Sequence, residues 1–103
     1  MIWKTDSSNE FDSLFFSKIN KENTNAKTCC ENSEVHIYAH KWGENFSSGW
    51  IWCSKCGKYS HIDGFRLSQE WNNLDSIDED ELCDEPSYLE EHKEEIDNFF
   101  KAL

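Results

Sequence analysis

The chain has 103 residues, enough for one compact domain spanning 1–103 and too few for two. Ten Lys and Arg against 21 Asp and Glu leave a formal charge of −11. That balance excludes the usual nucleic-acid binder, which needs cations to displace the counterions of phosphates, and it disfavours anionic membrane surfaces for the same reason.

In chain order, Phe11, Leu14, Phe15 and Ile19 recur at helical spacing with Asp12, Ser13, Ser17 and Lys18 between them. They predict an amphipathic helix over about 9–21, capped by Asn9 or Ser8. Residues 20–27 read as a polar loop. Val35, Ile37 and Ala39 then alternate with His36, Tyr38 and His40, the two-residue period of a strand with two different faces. Residues 43–49 read as a turn region. Trp50 to Cys53 and Lys58 to Asp63 follow as two short strands around a turn at Ser54–Gly57, and Gly64 ends the second. Trp50 and Trp52 fall on one face, with at least one expected in the core.

Residues 68–74 are read as a short helix capped by Ser68, with an irregular arm that buries Trp71 as the alternative. The last segment is read as one helix. It starts at Pro86, Ser87 and Glu90 have capping-box spacing, and Leu89, Ile96, Phe99, Phe100 and Leu103 mark its apolar face. The expected fold is α+β: a small antiparallel sheet carrying the Cys-x-x-Cys hairpin, with one face covered by an N-terminal and a C-terminal helix. With 15 aromatics and few Leu, Ile and Val, the core should be small and aromatic.

The sharpest local signal is Cys53-Ser54-Lys55-Cys56-Gly57. A two-residue gap lets two thiolates point into one tetrahedral site, and the Gly after the second Cys permits the tight turn. The pattern resembles one knuckle of a zinc ribbon. That resemblance implies a second ligand pair, for which Cys29-Cys30 is the candidate. Adjacent cysteines in extended chain point apart, so only one of Cys29 and Cys30 is expected to ligate easily. The fourth ligand would then be His36, His40 or His61, with His61 favoured by its position five residues after Cys56. His36 and His40 on one strand face stand about 13 Å apart, too far to share a metal.

The competing reading is a metal-free thiol cluster packed as small apolar side chains. A redox pair is expected at a helix N-terminus rather than in a hairpin, which argues against that use here. Cys83, within an acidic run, is read as inert. No nucleophile elbow, phosphate loop, His-Glu-x-x-His or deaminase pattern occurs, so the chain is not expected to be an enzyme.

The charge is concentrated at one end. From Leu74 to Leu103, twelve carboxylates and two lysines carry −10 of the −11. Within it, Asp75, Asp78, Glu79, Asp80, Glu81, Asp84 and Glu85 form either a solvated face or a patch for a basic protein, with Trp71 as a candidate apolar anchor.

No apolar run approaches the roughly 20 residues that span a bilayer. The N-terminal ten residues lack the basic start and apolar stretch of an export signal, so a cytoplasmic location is expected. Five cysteines there are expected as thiols or metal ligands.

In size, acidity, aromatic content and Cys-x-x-Cys character, the chain as a whole resembles the small acidic immunity proteins of bacterial toxin systems. The resemblance implies an inhibitor that occludes a cognate toxin, such as a nuclease with a basic substrate groove. The alternatives are a zinc-ribbon-like protein-binding adaptor and a nucleic-acid mimic that blocks another protein.

Overall fold

A computed structural model describes residues 2–20 and 29–102 of the protein. Most of the expected 20–27 loop and the apolar-face residue Leu103 lie outside the described residues. The fold is α+β. In chain order it comprises β1 (Lys4–Thr5), α1 (Glu10–Ile19), β2 (Val35–Gly43), β3 (Phe46–Cys53), β4 (Lys58–Phe65), a 3₁₀ turn (Glu79–Glu81), α2 (Ser87–Glu91) and α3 (Lys93–Lys101). Among the described residues no helix is long and apolar enough to cross a membrane.

The sheet order is β1-β4-β3-β2. The antiparallel part, β2-β3-β4, is the one expected, and β1 adds a two-residue parallel strand on β4 that the sequence did not announce. Turns are tighter than expected. Phe46 to Gly49 belongs to β3, so only Glu44 and Asn45 connect it to β2. Nor does Gly64 end β4: with φ of 82° it is the extra residue where the register steps from Ser48↔Asp63 to Ser47↔Phe65, a bulge built on the left-handed freedom of glycine.

Alternation sorts the strands onto two faces, each with its own core. Ile37, Ala39, Ile51 and Cys53 cluster with Phe11, Leu14 and Phe15 of α1. Tyr38, Trp50, Trp52 and Tyr59 cluster with Ile77, Leu89 and Ile96. The helices therefore cover opposite faces of the sheet, contrary to the expectation that they share one. Both Trp50 and Trp52 are buried.

Three local expectations are also corrected. The predicted helix over 68–74 is absent; the chain there is irregular, as in the alternative reading, with Trp71 half-buried against Phe99 and Phe100. The C-terminal helix is two helices, broken at His92, whose φ of −113° leaves the helical range. Glu90 forms no capping box, because its carboxylate accepts from the Ser54 hydroxyl instead.

The start of α1 shows how local chemistry replaces an expected cap. Asn9 is left-handed and makes no side-chain cap bond. Asp6 does the capping: its Oδ2 accepts from the Phe11 N–H at 3.0 Å, and Oδ1 accepts from the Ser8 hydroxyl at 2.7 Å. Burial alone would raise the Asp6 pKa, but the Phe11 and Ser8 donors, with Lys58 nearby, hold it below the usual carboxylate value.

Two predictions follow from this packing. A Cβ on Gly49 would stand 2.3 Å from Phe15 Cζ, so Gly49→Ala must push the Phe15 ring off the sheet. It should cost about 1–3 kcal/mol in urea unfolding. Adding Phe15→Leu should recover part of that loss; strictly additive costs would place the clash elsewhere.

Asp6→Ala should cost about 1 kcal/mol at pH 7. Because the folded pKa is depressed, the carboxylate's contribution is present above its unfolded value near 3.9 and is lost as pH falls through the lower folded value. The gap between parent and variant should thus hold constant above about pH 5 and narrow toward about pH 3. A gap that widens on acidification would show that Asp6 is not the cap.

Candidate metal centre

Cys53 closes β3 and Cys56 lies in the turn that follows. Gly57 has φ of 80°, and its N–H returns to the Cys53 carbonyl at 3.1 Å. The Lys55 N–H donates to Cys53 Sγ at 3.4 Å. Cys29 and Cys30 sit in a bend ahead of β2, and Asn32, with φ of 57°, turns the chain toward that strand. Val35 pairs with Cys53, and the Ser54 N–H donates to the Glu34 carbonyl at 2.8 Å, so this bend and the Cys-x-x-Cys turn are held at one end of the sheet.

The four sulfurs converge. Cys29 Sγ lies 3.3 Å from Cys56 Sγ and 4.0 Å from Cys30 Sγ, and Cys30 Sγ lies 3.8 Å from Cys53 Sγ. All four fall within 4.8 Å of one another, close enough to hold a metal ion. The expectation that only one of Cys29 and Cys30 would ligate easily assumed extended backbone, and the bend removes that assumption.

His61 does not belong to this cluster. It pairs with Trp50 across β3–β4 and stacks on it at 4.8 Å, on the face opposite Cys53. Its Nδ1 lies 2.9 Å from Asp84 and its Nε2 3.2 Å from Asp63. His36 and His40 share the tryptophan face and are buried there. Strand parity thus excludes all three histidines as ligands.

The thiols do not ionise alike. Burial acts to raise the Cys53 pKa, yet the backbone N–H groups of Cys56, Glu34 and Lys55 overcome it and bring the thiol down to about 6. Cys29 and Cys30 are pushed up, by burial first and then by sharing protons with the other sulfurs. Without a cation, one thiolate suppresses the ionisation of its neighbours; a dication removes that conflict. Cys83 is exposed and stands apart from the cluster.

A second group, Glu34, His36 and Glu90, also brings its ligand atoms within 4.8 Å. Lys93 fills it: Nζ lies 3.1 Å from Glu34 and 3.4 Å from Glu90. His36 bridges Glu34 at 2.7 Å and Asp97 at 2.8 Å. Hydrogen bonds from His36, Lys93 and Ser54 lower the Glu34 pKa to about 2. With the Ser54–Glu90 bond, this network ties the cysteine turn to α2 and α3.

The acidic run crosses the tryptophan face as an ordered segment. Asp75, Asp78, Glu79, Asp80, Glu81, Asp84 and Glu85 are all exposed, and none pairs with a described Lys or Arg. Core groups fix its backbone. Ile77 is buried, Trp50 Nε1 donates to the Cys83 carbonyl at 2.8 Å, and the Asp78 N–H donates to the Tyr88 hydroxyl at 2.8 Å. His40 holds Glu79 at 3.1 Å, as His61 holds Asp84. Trp71, expected beside the run as an anchor, packs on α3 instead.

Three described aromatics stand exposed: Phe16 on α1, and Trp42 and Phe46, which flank the β2–β3 turn. Sequence reading passed over Trp42 and Phe46 because Phe46 lies in the stretch read as turn and Trp42 just before it; their signal was two large rings beside a two-residue connection. Compared with known proteins, the chain matches no family model, no curated protein and no solved structure.

Proposed function

We propose that this is a zinc-stapled binding domain that inhibits a basic protein partner, a cognate toxin, through its acidic face. The observation that carries the reading is the exposed row from Asp75 to Glu85, unpaired by any described Lys or Arg yet fixed in place by the sheet beneath it. Ordered like charges repel one another, and a cationic partner surface relieves that repulsion on contact. A groove built to bind phosphates is such a surface. The reading assigns no catalytic step to the chain, and it fits the size and acidity that resemble immunity proteins.

Zinc is the metal the donor set favours. Four thiolates suit a closed structural site, and a zinc–sulfur distance of about 2.3 Å sets tetrahedral sulfurs roughly 3.8 Å apart, close to the spacings of 3.3, 3.8 and 4.0 Å. The same site supports the second reading, a zinc-ribbon-like adaptor, which shares the fold and differs in its partner.

Protein produced in zinc-supplemented medium should contain one zinc per chain by elemental analysis, and its cobalt-substituted form should show tetrahedral thiolate absorption bands. Chelation should lower the melting temperature sharply, because metal-binding free energy becomes folding free energy. A stable, fully folded protein without metal would reduce the cysteines to packing residues.

Changing Asp75, Asp80, Glu81 and Glu85 together to lysine, and so sparing Glu79 on His40 and the Asp78 cap of the 3₁₀ turn, should weaken capture of the co-purifying basic protein by at least tenfold and flatten its salt dependence, with melting little changed. Unaltered capture would remove the acidic face from the interface. Capture of an acidic or neutral partner would favour the adaptor.

A further inference from the structure

Trp42 is 44% exposed, yet its ring is not free. Nε1 donates to Ser48 Oγ at 2.9 Å, Ser48 in turn donates to Asp63 at 2.5 Å, and the ring stands 4.4 Å from that of His40. An indole fixed on two sides and open on the rest is a platform whose ordering cost is already met before anything binds. Phe46, 49% exposed, stands at the other end of the same turn.

Beside this platform runs a shallow groove of about 480 Å³, of which His40 forms one wall and Asn73, Asp75, Asp78 and Glu79 much of the rest. Its polar walls are set by their own bonds. The Asn73 amide accepts from the Lys41 N–H at 2.7 Å and donates to the Lys41 carbonyl at 2.9 Å, and Glu79 is held by His40. The carboxylates alone would be a solvated face. His40, which lines the groove and stands 4.4 Å from the Trp42 ring, makes them neighbours of a fixed, partly exposed indole.

We infer that Trp42 and this groove seat an arginine side chain of the basic partner, the guanidinium lying against the indole with its N–H groups on the groove carboxylates. Guanidinium is planar, weakly hydrated and forked, so it can stack and donate at once; an ammonium can only donate. This inference rests on the proposed basic protein partner and names the side chain it offers.

The test uses the full chain and two capped peptides, acetyl-Gly-Arg-Gly-Arg-Gly-amide and its lysine counterpart, with amide and indole N–H resonances followed by NMR. The arginine peptide should shift the Trp42 indole and Asn73 side-chain signals in a saturable way, and bind roughly fivefold tighter than the lysine peptide. Trp42→Ala, at an exposed position, should keep the fold and abolish the arginine preference, and Trp42→Phe should retain part of it. Equal binding of both peptides, or shifts confined to Asp80–Asp97, would overturn the inference.

The two readings fail separately. A basic protein captured through Asp80–Glu85 with Trp42 undisturbed would sink the arginine seat alone. A chain that binds the arginine peptide at Trp42 but captures no basic protein would sink the inhibitor reading alone.

Discussion

Along β3, Gly49, Ile51 and Cys53 point to one side of the sheet while Trp50 and Trp52 point to the other, and each core is assembled around one of these sets. The small side must be small because Phe15 of α1 lies flat over Gly49. The large side must be covered by something other than α1, since two indoles, Tyr38 and Tyr59 need a layer of their own. The irregular chain after β4, pinned by Ile77, and the helices carrying Leu89 and Ile96 supply it. One strand's alternation therefore decides that the thiols and the carboxylates end up on different faces.

The thiol site stands where β3 ends and the sheet gives way to turns. Beyond Cys53 there is no further strand residue to bury, and the bend at Cys29-Cys30 belongs to no helix or strand. A metal joining the bend to the turn would supply there what apolar burial supplies elsewhere, which is the usual remedy in a domain with little core to spare. The consequence reaches the other face. Ser54, between Cys53 and Cys56, holds Glu90, and Glu34, whose carbonyl takes the Ser54 N–H, holds Lys93. The cysteine turn and the seating of α2 and α3 are linked through these few polar contacts.

The parts of this arrangement legible in the sequence were those set by neighbours in the chain. The alternation at Val35–His40, the Cys-x-x-Cys-Gly turn and the apolar face of α1 all depend on residues within one turn or one strand. What escaped was set by register or by distant partners. His61 looked like a ligand at five residues from Cys56, and only its pairing with Trp50 reveals that it faces away. Cys29 and Cys30 needed a bend that no Gly or Pro announces. Glu90 had capping-box spacing but found Ser54, 36 residues away, a better donor. Asp6 replaced Asn9 because the chain before α1 folds back along β4, which requires β1, two residues too short to carry a pattern.

The histidines sharpen the reading of the acidic face. A run of carboxylates kept only for solubility works as well on loose chain, and loose chain relieves its own repulsion by spreading out. Here the run is denied that freedom. His40 and His61, rising from adjacent parts of the tryptophan face, each take one of its carboxylates, and Trp50 uses its N–H on the Cys83 carbonyl. Holding like charges close costs stability, and the core groups that offset that cost are thereby committed to the surface. Preorganisation of this kind gains nothing for solubility. It does favour binding, because a partner that meets fixed carboxylates beside a fixed indole does not have to order them, and the repulsion stored among them is released when its cations arrive.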